Sequence, residues 1–174
     1  MNKRTNRGRR PAGNLIRLIA ALIMLLGCVT LSAQPDPPRP ITVTTTQDIA
    51  FGAFYHGSSG GDISITTTGS RSANGDIILL GLGYVYSAAW FDIVANEGTL
   101  INLVPITDIT LTGSNGGTMT LHFGVPDPEP PFVTTAIPPA TTQMKIGGTL
   151  SVLDPGSNPP GNYSGTFDLI FIQE

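Results

Sequence analysis

The chain of 174 residues has a single cysteine, Cys28. No disulfide can form within it, although small exported domains often depend on such bonds. A folded domain here must hold itself together by core burial, which a domain of about 140 residues can do because it removes roughly two thirds of its unfolded surface from water. Cations are almost as scarce. There are nine Lys and Arg, and six of them, Lys3, Arg4, Arg7, Arg9, Arg10 and Arg17, fall in the first 17 positions. Beyond residue 33 only Arg39, Arg71 and Lys145 remain, against twelve acids, a net charge of −9. Nucleic-acid binding needs cations to neutralise phosphates, so this balance argues against a nucleic-acid partner, while it favours solubility. Histidine occurs twice, at His56 and His122, and tryptophan once, at Trp90. The apolar run of the chain, Leu15-Ile16 and then Leu18 to Leu26, falls short of the ~20 residues that a membrane-crossing helix requires.

That run is informative for where it stands. Basic residues precede it, and small residues follow it. This is the order of an export signal. Cleavage after Leu31-Ser32-Ala33 would leave Gln34 as the new N-terminus. A second route reads Leu25-Leu26-Gly27-Cys28 as a lipobox, with Cys28 acylated and the protein tethered to a membrane. The first is the expected route, because small-residue cleavage is the general case. Arg9-Arg10 reads as ordinary charge before the apolar run, since Pro11-Ala12-Gly13 lacks the apolar pattern of a twin-arginine signal. The expected protein is therefore exported, to the periplasm, cell surface or medium, and touches a membrane only through a lipidated Cys28.

Residues 1–33 form the predicted signal peptide and residues 34–40, Gln-Pro-Asp-Pro-Pro-Arg-Pro, a semi-rigid spacer. Residues 41–174 read as one domain. Thr, Ile, Val and aromatics are plentiful there, and no amphipathic helical period appears. Asp-Ile recurs at 48–49, 62–63, 76–77, 92–93 and 108–109, each Ile opening an alternating run. Each Asp is expected at a turn where a strand begins. The spacing predicts an antiparallel β-sandwich of about seven to ten short strands. Asn74-Gly75 and Asn115-Gly116 are expected at turns that need positive φ. Segments 107–112 and 117–123 should form a hairpin around Ser114-Asn115-Gly116, and 62–68 should pair with 76–80 across a longer loop. The run Pro126-Asp127-Pro128-Glu129-Pro130-Pro131 cannot supply ladder N–H groups and should be an exposed loop. Met144, Ile146, Gly148, Leu150 and Val152 are expected on one face, and Tyr163, Gly165, Phe167, Leu169 and Phe171 on one face of a terminal strand.

Several runs carry a resemblance: Pro40-Ile41-Thr42-Val43, Ile49-Ala50-Phe51-Gly52-Ala53-Phe54, Gly60-Gly61-Asp62-Ile63-Ser64-Ile65, Gly69-Ser70-Arg71-Ser72-Ala73-Asn74-Gly75-Asp76, Ile146-Gly147-Gly148-Thr149-Leu150, and Asn158-Pro159-Pro160-Gly161-Asn162-Tyr163-Ser164-Gly165-Thr166-Phe167. Together they resemble a bacterial secreted domain family of unassigned function, over nearly all of residues 40–174. That family is similar to spore coat protein U and to pilin subunits of the alternative chaperone–usher type. The resemblance implies an immunoglobulin-like β-sandwich at the cell surface and supplies no catalytic residues. The chain departs from the pilin pattern in having no cysteine pair.

Candidate sites are few. His56 and His122 would have to converge with carboxylates such as Asp62 or Asp127 to hold a metal, but the sequence has no ligand spacing, and no metal or cofactor is expected. Gly57-Ser58-Ser59-Gly60-Gly61 has the composition of a phosphate-cradling loop yet lacks the following helix and lysine. No Gly-x-Ser-x-Gly elbow or Ser/His/Asp set is present, so no catalytic residue is predicted. Asn162-Tyr163-Ser164 matches a glycosylation sequon, for which the turn role of Asn162 is a sufficient reading. Trp90 reads as partial core. Ile41, Val43 and Thr45 alternate along a segment that could pair within the chain or, by strand exchange, with another copy or a related surface subunit. The expected function is a surface structural or adhesive subunit. The alternatives are a secreted carbohydrate-binding module, marked by exposed aromatics around Trp90 or Tyr84 and Tyr86, and a small hydrolase using two carboxylates in one cleft.

Overall fold

A computed structural model describes residues 40–174. The expectations for the signal segment, Cys28, the Ala33–Gln34 junction and the spacer through Arg39 lie outside the described residues. Within them the chain is all-β, and no helix is long and apolar enough to cross a membrane. The strands are β1 (Thr42–Gln47), β2 (Ala50–Phe51), β3 (Phe54–Ile65), β4 (Arg71–Leu79), β5 (Tyr86–Ser87), β6 (Ala89–Val94) and β7 (Leu100–Leu103). They continue with β8 (Ile109–Gly113), β9 (Thr118–Phe123), β10 (Phe132–Val133), β11 (Thr142–Ile146), β12 (Gly148–Val152), β13 (Tyr163–Ser164) and β14 (Phe171–Gln173). Fourteen exceeds the predicted seven to ten, because four of these strands are only two residues long.

The main sheet runs β13-β8-β9-β12-β3-β4, and a second sheet runs β1-β6-β11. Smaller sheets, β10-β7-β14 and β2-β5, complete the domain. Every pairing between these strands is antiparallel. The core follows from period-2 alternation, which sends successive side chains to opposite faces. In β6 it buries Ala89, Phe91 and Ile93, and in β12 it buries Gly148, Leu150 and Val152. One apolar cluster joins Ile63, Ile65, Leu111, Met119, Leu121 and Leu150. A second joins Ala89, Phe91, Ile93, Met144 and Ile146. Ile49 and Phe123 pack against both. Each fully buried Ile, Leu or Met contributes about 1.5–3 kcal/mol before entropy.

The expected hairpin at 107–123 forms, with Ile109 opposite Leu121 and Thr112 opposite Thr118. Gly116 and Gly117 at its tip have φ of 88° and 76°. The Pro-rich run is a loop as expected, with one addition. Asp127 exchanges both backbone hydrogen bonds with Lys145, at 2.9 and 2.8 Å. This lays the loop along the outer side of β11, where an edge would otherwise invite another chain.

Four expectations are corrected. Asn74-Gly75 is not a hairpin turn; it lies inside β4, opposite Asp62 and Gly61. The turn between β3 and β4 is at residues 66–70, where Gly69 takes φ 84° and its N–H bonds the Thr66 carbonyl. The register accordingly pairs 61–65 with 71–75, not 62–68 with 76–80. Second, Asp48 and Asp108 do precede strands, but Asp62, Asp76 and Asp92 sit within them. There Asp62 accepts from the Ser151 hydroxyl at 2.8 Å and Asp92 from Gln143 at 3.2 Å, so sheet-surface partners replace the turn role. Third, Met144 and Ile146 belong to one cluster and Leu150 and Val152 to the other. The chain changes sheets at Gly147, whose Cα lies so close to the Ile65 carbonyl that a Cβ would stand 2.2 Å from it. Fourth, the terminal segment keeps its alternation but not its ladder, because residues 165–170 belong to no strand.

Candidate functional site: an open apolar cleft

The break in the terminal segment opens the domain. Tyr163 and Ser164 pair with Gly113 and Thr112 of β8. Gly165 still hugs β8, since a Cβ there would meet the Thr110 carbonyl at 3.0 Å. The chain then leaves β8 and rejoins a ladder only where Val104 donates to the Ile170 carbonyl at 2.9 Å and Phe171 pairs with Leu103 of β7. A cleft of about 1170 Å³ lies along this stretch. Residues 163–169 and Phe171 line one bank, and Val43, Thr45 and Gln47 of β1 line another. Core side chains Phe91, Leu111, Met119, Leu121 and Leu150 reach its inner side. β1 is the end strand of its sheet, and residues 165–170 on the other bank belong to no strand. Main-chain donors and acceptors on such edges are a template for another strand.

The segment after β4 also contributes to this cleft. Leu82, Tyr84 and Val85 line it, with Tyr84 68% and Val85 73% exposed. Tyr55 lines the cleft as well and is 61% exposed. Arg71 anchors the region. Its Nη1 donates to the Phe51 carbonyl at 2.9 Å and the Ala53 carbonyl at 3.3 Å, and its Nη2 donates to the Leu80 carbonyl at 3.3 Å. Its guanidinium also stacks 4.4 Å from the Tyr86 ring centre. A guanidinium with this many partners is a structural clamp and not a receptor for an anionic ligand. It also covers one face of Tyr86, leaving Tyr84 and Tyr55 as the more open rings.

Next to the lining residues Pro159 and Pro160 stands the buried Asn158. Its Oδ1 accepts from the Leu153 N–H at 2.6 Å, and its Nδ2 donates to the Thr118 carbonyl at 2.6 Å. The His56 Nε2 meets the Asn158 carbonyl at 2.9 Å, which ties β3 to this turn. Tyr163 donates its hydroxyl to the Pro159 carbonyl at 2.7 Å, and burial pushes its phenol pKa up. Asp154 starts the adjoining turn. Its pKa is held below the usual carboxylate range first by the Ser157 hydroxyl and then by the Gly156 and Ser157 N–H groups. His122 faces outward and pairs with Asp108 at 2.7 Å. No group of three His, Cys, Asp or Glu that could hold a metal occurs among the described residues. Trp90 is half-buried against the core, with the Lys145 ammonium 4.8 Å from its ring centre.

The Gly57-Ser58-Ser59-Gly60-Gly61 run proves to be a wide bulge. His56 stands opposite Ile77 and Gly61 opposite Gly75, so four residues face Asp76 alone. Asp76 fills the concavity: Ser59 donates its N–H to Asp76 Oδ2 at 3.4 Å, and a Cβ on Gly57 would lie 2.0 Å from the same oxygen. An internal carboxylate thus occupies the space a bound phosphate would need. Gly57→Ala should destabilise the domain by about 1–2 kcal/mol through this overlap. Adding Asp76→Ala should recover most of that loss in a double-mutant cycle read by urea denaturation. Additive losses would mean that Gly57 is required for some other reason.

A family model fits residues 41–171, from the residue before β1 to the first residue of β14. The chain belongs to the family described as Domain of unknown function (DUF4402). The expected membership of a family of unassigned function therefore holds. No curated protein and no solved structure matches the chain. The family boundaries enclose both banks of the cleft. They also include Asp76, expected at a turn, and Arg71 and Asn158, for which the sequence predicts no role. Of these, Asn158 has the nearest thing to a sequence signal, an amide directly before Pro159-Pro160 in a turn-forming stretch.

Proposed function

We propose that this protein is an exported, non-catalytic surface domain with a structural or adhesive role, and that its cleft accepts an extended strand from another copy or a related surface subunit. The cleft carries this reading. Its inner side is apolar and it is bordered by an edge strand and by backbone outside any ladder. An added strand would gain main-chain hydrogen bonds along the banks and seat alternate side chains against the core. The acidic balance, the export-type N-terminus and the resemblance to pilin and coat subunits support the same reading. Ile41, Val43 and Thr45 flank or belong to β1, which pairs with β6 of its own chain. Exchange of that segment would require its release, whereas occupation of the cleft would not.

The test is sedimentation of the exported protein at rising concentration, together with titration of a peptide spanning residues 40–47. Concentration-dependent association, or peptide binding that slows amide exchange at residues 165–170, is the expected result. A strictly monomeric protein indifferent to the peptide would refute strand acceptance. N-terminal sequencing of the exported form should find Gln34. A lipidated Cys28 would instead place the protein on a membrane, and an intact Met1 retained in the cytoplasm would refute export.

A second reading rests on Tyr55 and Tyr84, whose exposed rings line the same cleft as Asp48 and Asp168. Rings to stack on and carboxylates to accept hydroxyl protons suit a glycan. Binding to a glycan panel that Tyr84→Ala abolishes, with the fold intact, would favour this reading over strand acceptance.

A further inference from the structure

The two Asn-Gly pairs differ in a way that bears on their chemistry. An asparagine followed by glycine can cyclise, because the glycine nitrogen is poorly shielded and can reach the asparagine side-chain carbon. At Asn115 the structure opposes this. Its Nδ2 donates to the Pro160 carbonyl at 2.6 Å, and the Gly116 N–H is engaged with the Gly113 carbonyl at 3.1 Å. Both reacting groups are held by other partners.

At Asn74 they are held against each other. The Gly75 N–H donates to Asn74 Oδ1 at 2.7 Å, which brings the attacking nitrogen beside the side-chain amide. Asn74 is exposed, and β4 is the end strand of its sheet, so water reaches the site. Gly75 has φ 76° and no Cβ to screen its nitrogen. Its other side abuts the Gly60 carbonyl and Gly61 Cα, where a Cβ would lie 2.8 Å from each, so only glycine, which leaves its nitrogen least shielded, fits here. Holding reacting groups at contact distance converts an encounter into a step within one molecule.

We propose that Asn74-Gly75 is a self-modifying site that converts asparagine to aspartate and isoaspartate in the folded protein, while Asn115-Gly116 is protected. The Gly75 amide gives its proton to solvent base, and its nitrogen bonds to Asn74 Cγ. The Cγ–Nδ2 bond breaks, and ammonia leaves with a proton from water. A five-membered succinimide results. Water then adds to either ring carbonyl and opens the ring, giving aspartate or isoaspartate. No oxidant or cofactor is needed. The product adds a negative charge to β4. In the isoaspartyl form it also adds a backbone carbon opposite Asp62, where the ladder would have to yield.

The test follows the intact exported protein over time at neutral and mildly alkaline pH. Fragment mass spectra locate the small mass gain of amide-to-acid conversion, and an isoaspartyl methyltransferase assay reports the isomer. The expected result is several-fold faster conversion at Asn74 than at Asn115 in the folded protein, with the difference lost after denaturation. Equal rates in the folded protein, faster conversion at Asn115, or no conversion at Asn74 would each overturn the proposal. Asn74→Gln, which lengthens the side chain and disfavours the five-membered ring, should remove the fast phase while leaving the folded spectrum unchanged.

Discussion

Replacing Asn158 with alanine should destabilise the domain by about 1–3 kcal/mol, because two main-chain groups lose hydrogen bonds worth about 0.5–1.5 kcal/mol each. These are the Leu153 N–H and the Thr118 carbonyl, both 2.6 Å from the Asn158 amide. Asn158 is fully buried, so truncating it leaves a void between the two groups, although Leu153 and Thr118 are themselves exposed. The amide also joins the end of β12 to the start of β9, and its backbone carbonyl holds His56 of β3. Against a net stability of about 5–15 kcal/mol the loss would be large. Urea denaturation would measure it. Asn158→Asp should not rescue, since a carboxylate there would face the Thr118 and Ser157 carbonyls that the amide now satisfies. Asn162→Ala, at an exposed position nearby, serves as the control and should change stability little. A shift of less than about 1 kcal/mol at Asn158 would mean that the two groups find other partners.

Deleting residues 165–174 should abolish cooperative folding. The segment brings Phe167, Leu169 and Phe171 onto the cluster built by Phe91, Met144 and Ile146. Phe167 packs on Phe123 with ring centres 4.7 Å apart, and Phe171 on Phe91 at 6.3 Å. β14 also pairs Phe171, Ile172 and Gln173 with β7, and Glu174 donates to the Leu100 carbonyl at 3.0 Å. The three side chains are half-buried, so each contributes below the roughly 1.5–3 kcal/mol of full burial. Adding the lost ladder and the exposed cluster brings the total close to the whole net stability. The expected signs are loss of a sigmoidal urea transition and binding of a hydrophobic dye. A truncated chain that still unfolds cooperatively with an unchanged m-value would show that the terminal segment only decorates the sandwich.

The cleft depends on the same segment, which is why its existence was hidden from pattern reading. Alternation from Tyr163 to Phe171 is consistent with a continuous strand, and period 2 records which side chains face inward. It says nothing about whether a neighbouring strand is present to receive the backbone bonds. Only the placement of β8 and β7 shows that the chain begins on one and ends on the other, leaving residues 165–170 between them. The same limit explains Met144 to Val152, where one unbroken alternation serves two sheets because both face inward.

Asn74-Gly75 shows a different limit. The pair signals a backbone able to take positive φ, and Gly75 does so. A turn and a bulge both need that freedom, and local sequence does not separate them. The choice was made by Gly60, Gly61 and Gly75 meeting across β3 and β4, a contact between residues distant in the chain. The Gly/Ser run could likewise have served an anion. Asp76, nearly twenty residues on, fills it instead.

What the sequence by itself determined is what depends on neighbours along the chain. The all-β class, the inward set Ile63, Ile93, Leu121, Leu150 and Met144, the hairpin around Asn115-Gly116 and the exposed Pro-rich loop all follow from alternation, glycine freedom and missing N–H groups. Tertiary structure alone decided the register of β3 on β4, the sheet change at Gly147, the ties made by Asn158 and Arg71, and the opening beside residues 165–170. Each of these depends on which distant backbone groups meet, and a hydrogen-bonding group carries no mark in the sequence of the partner it will find.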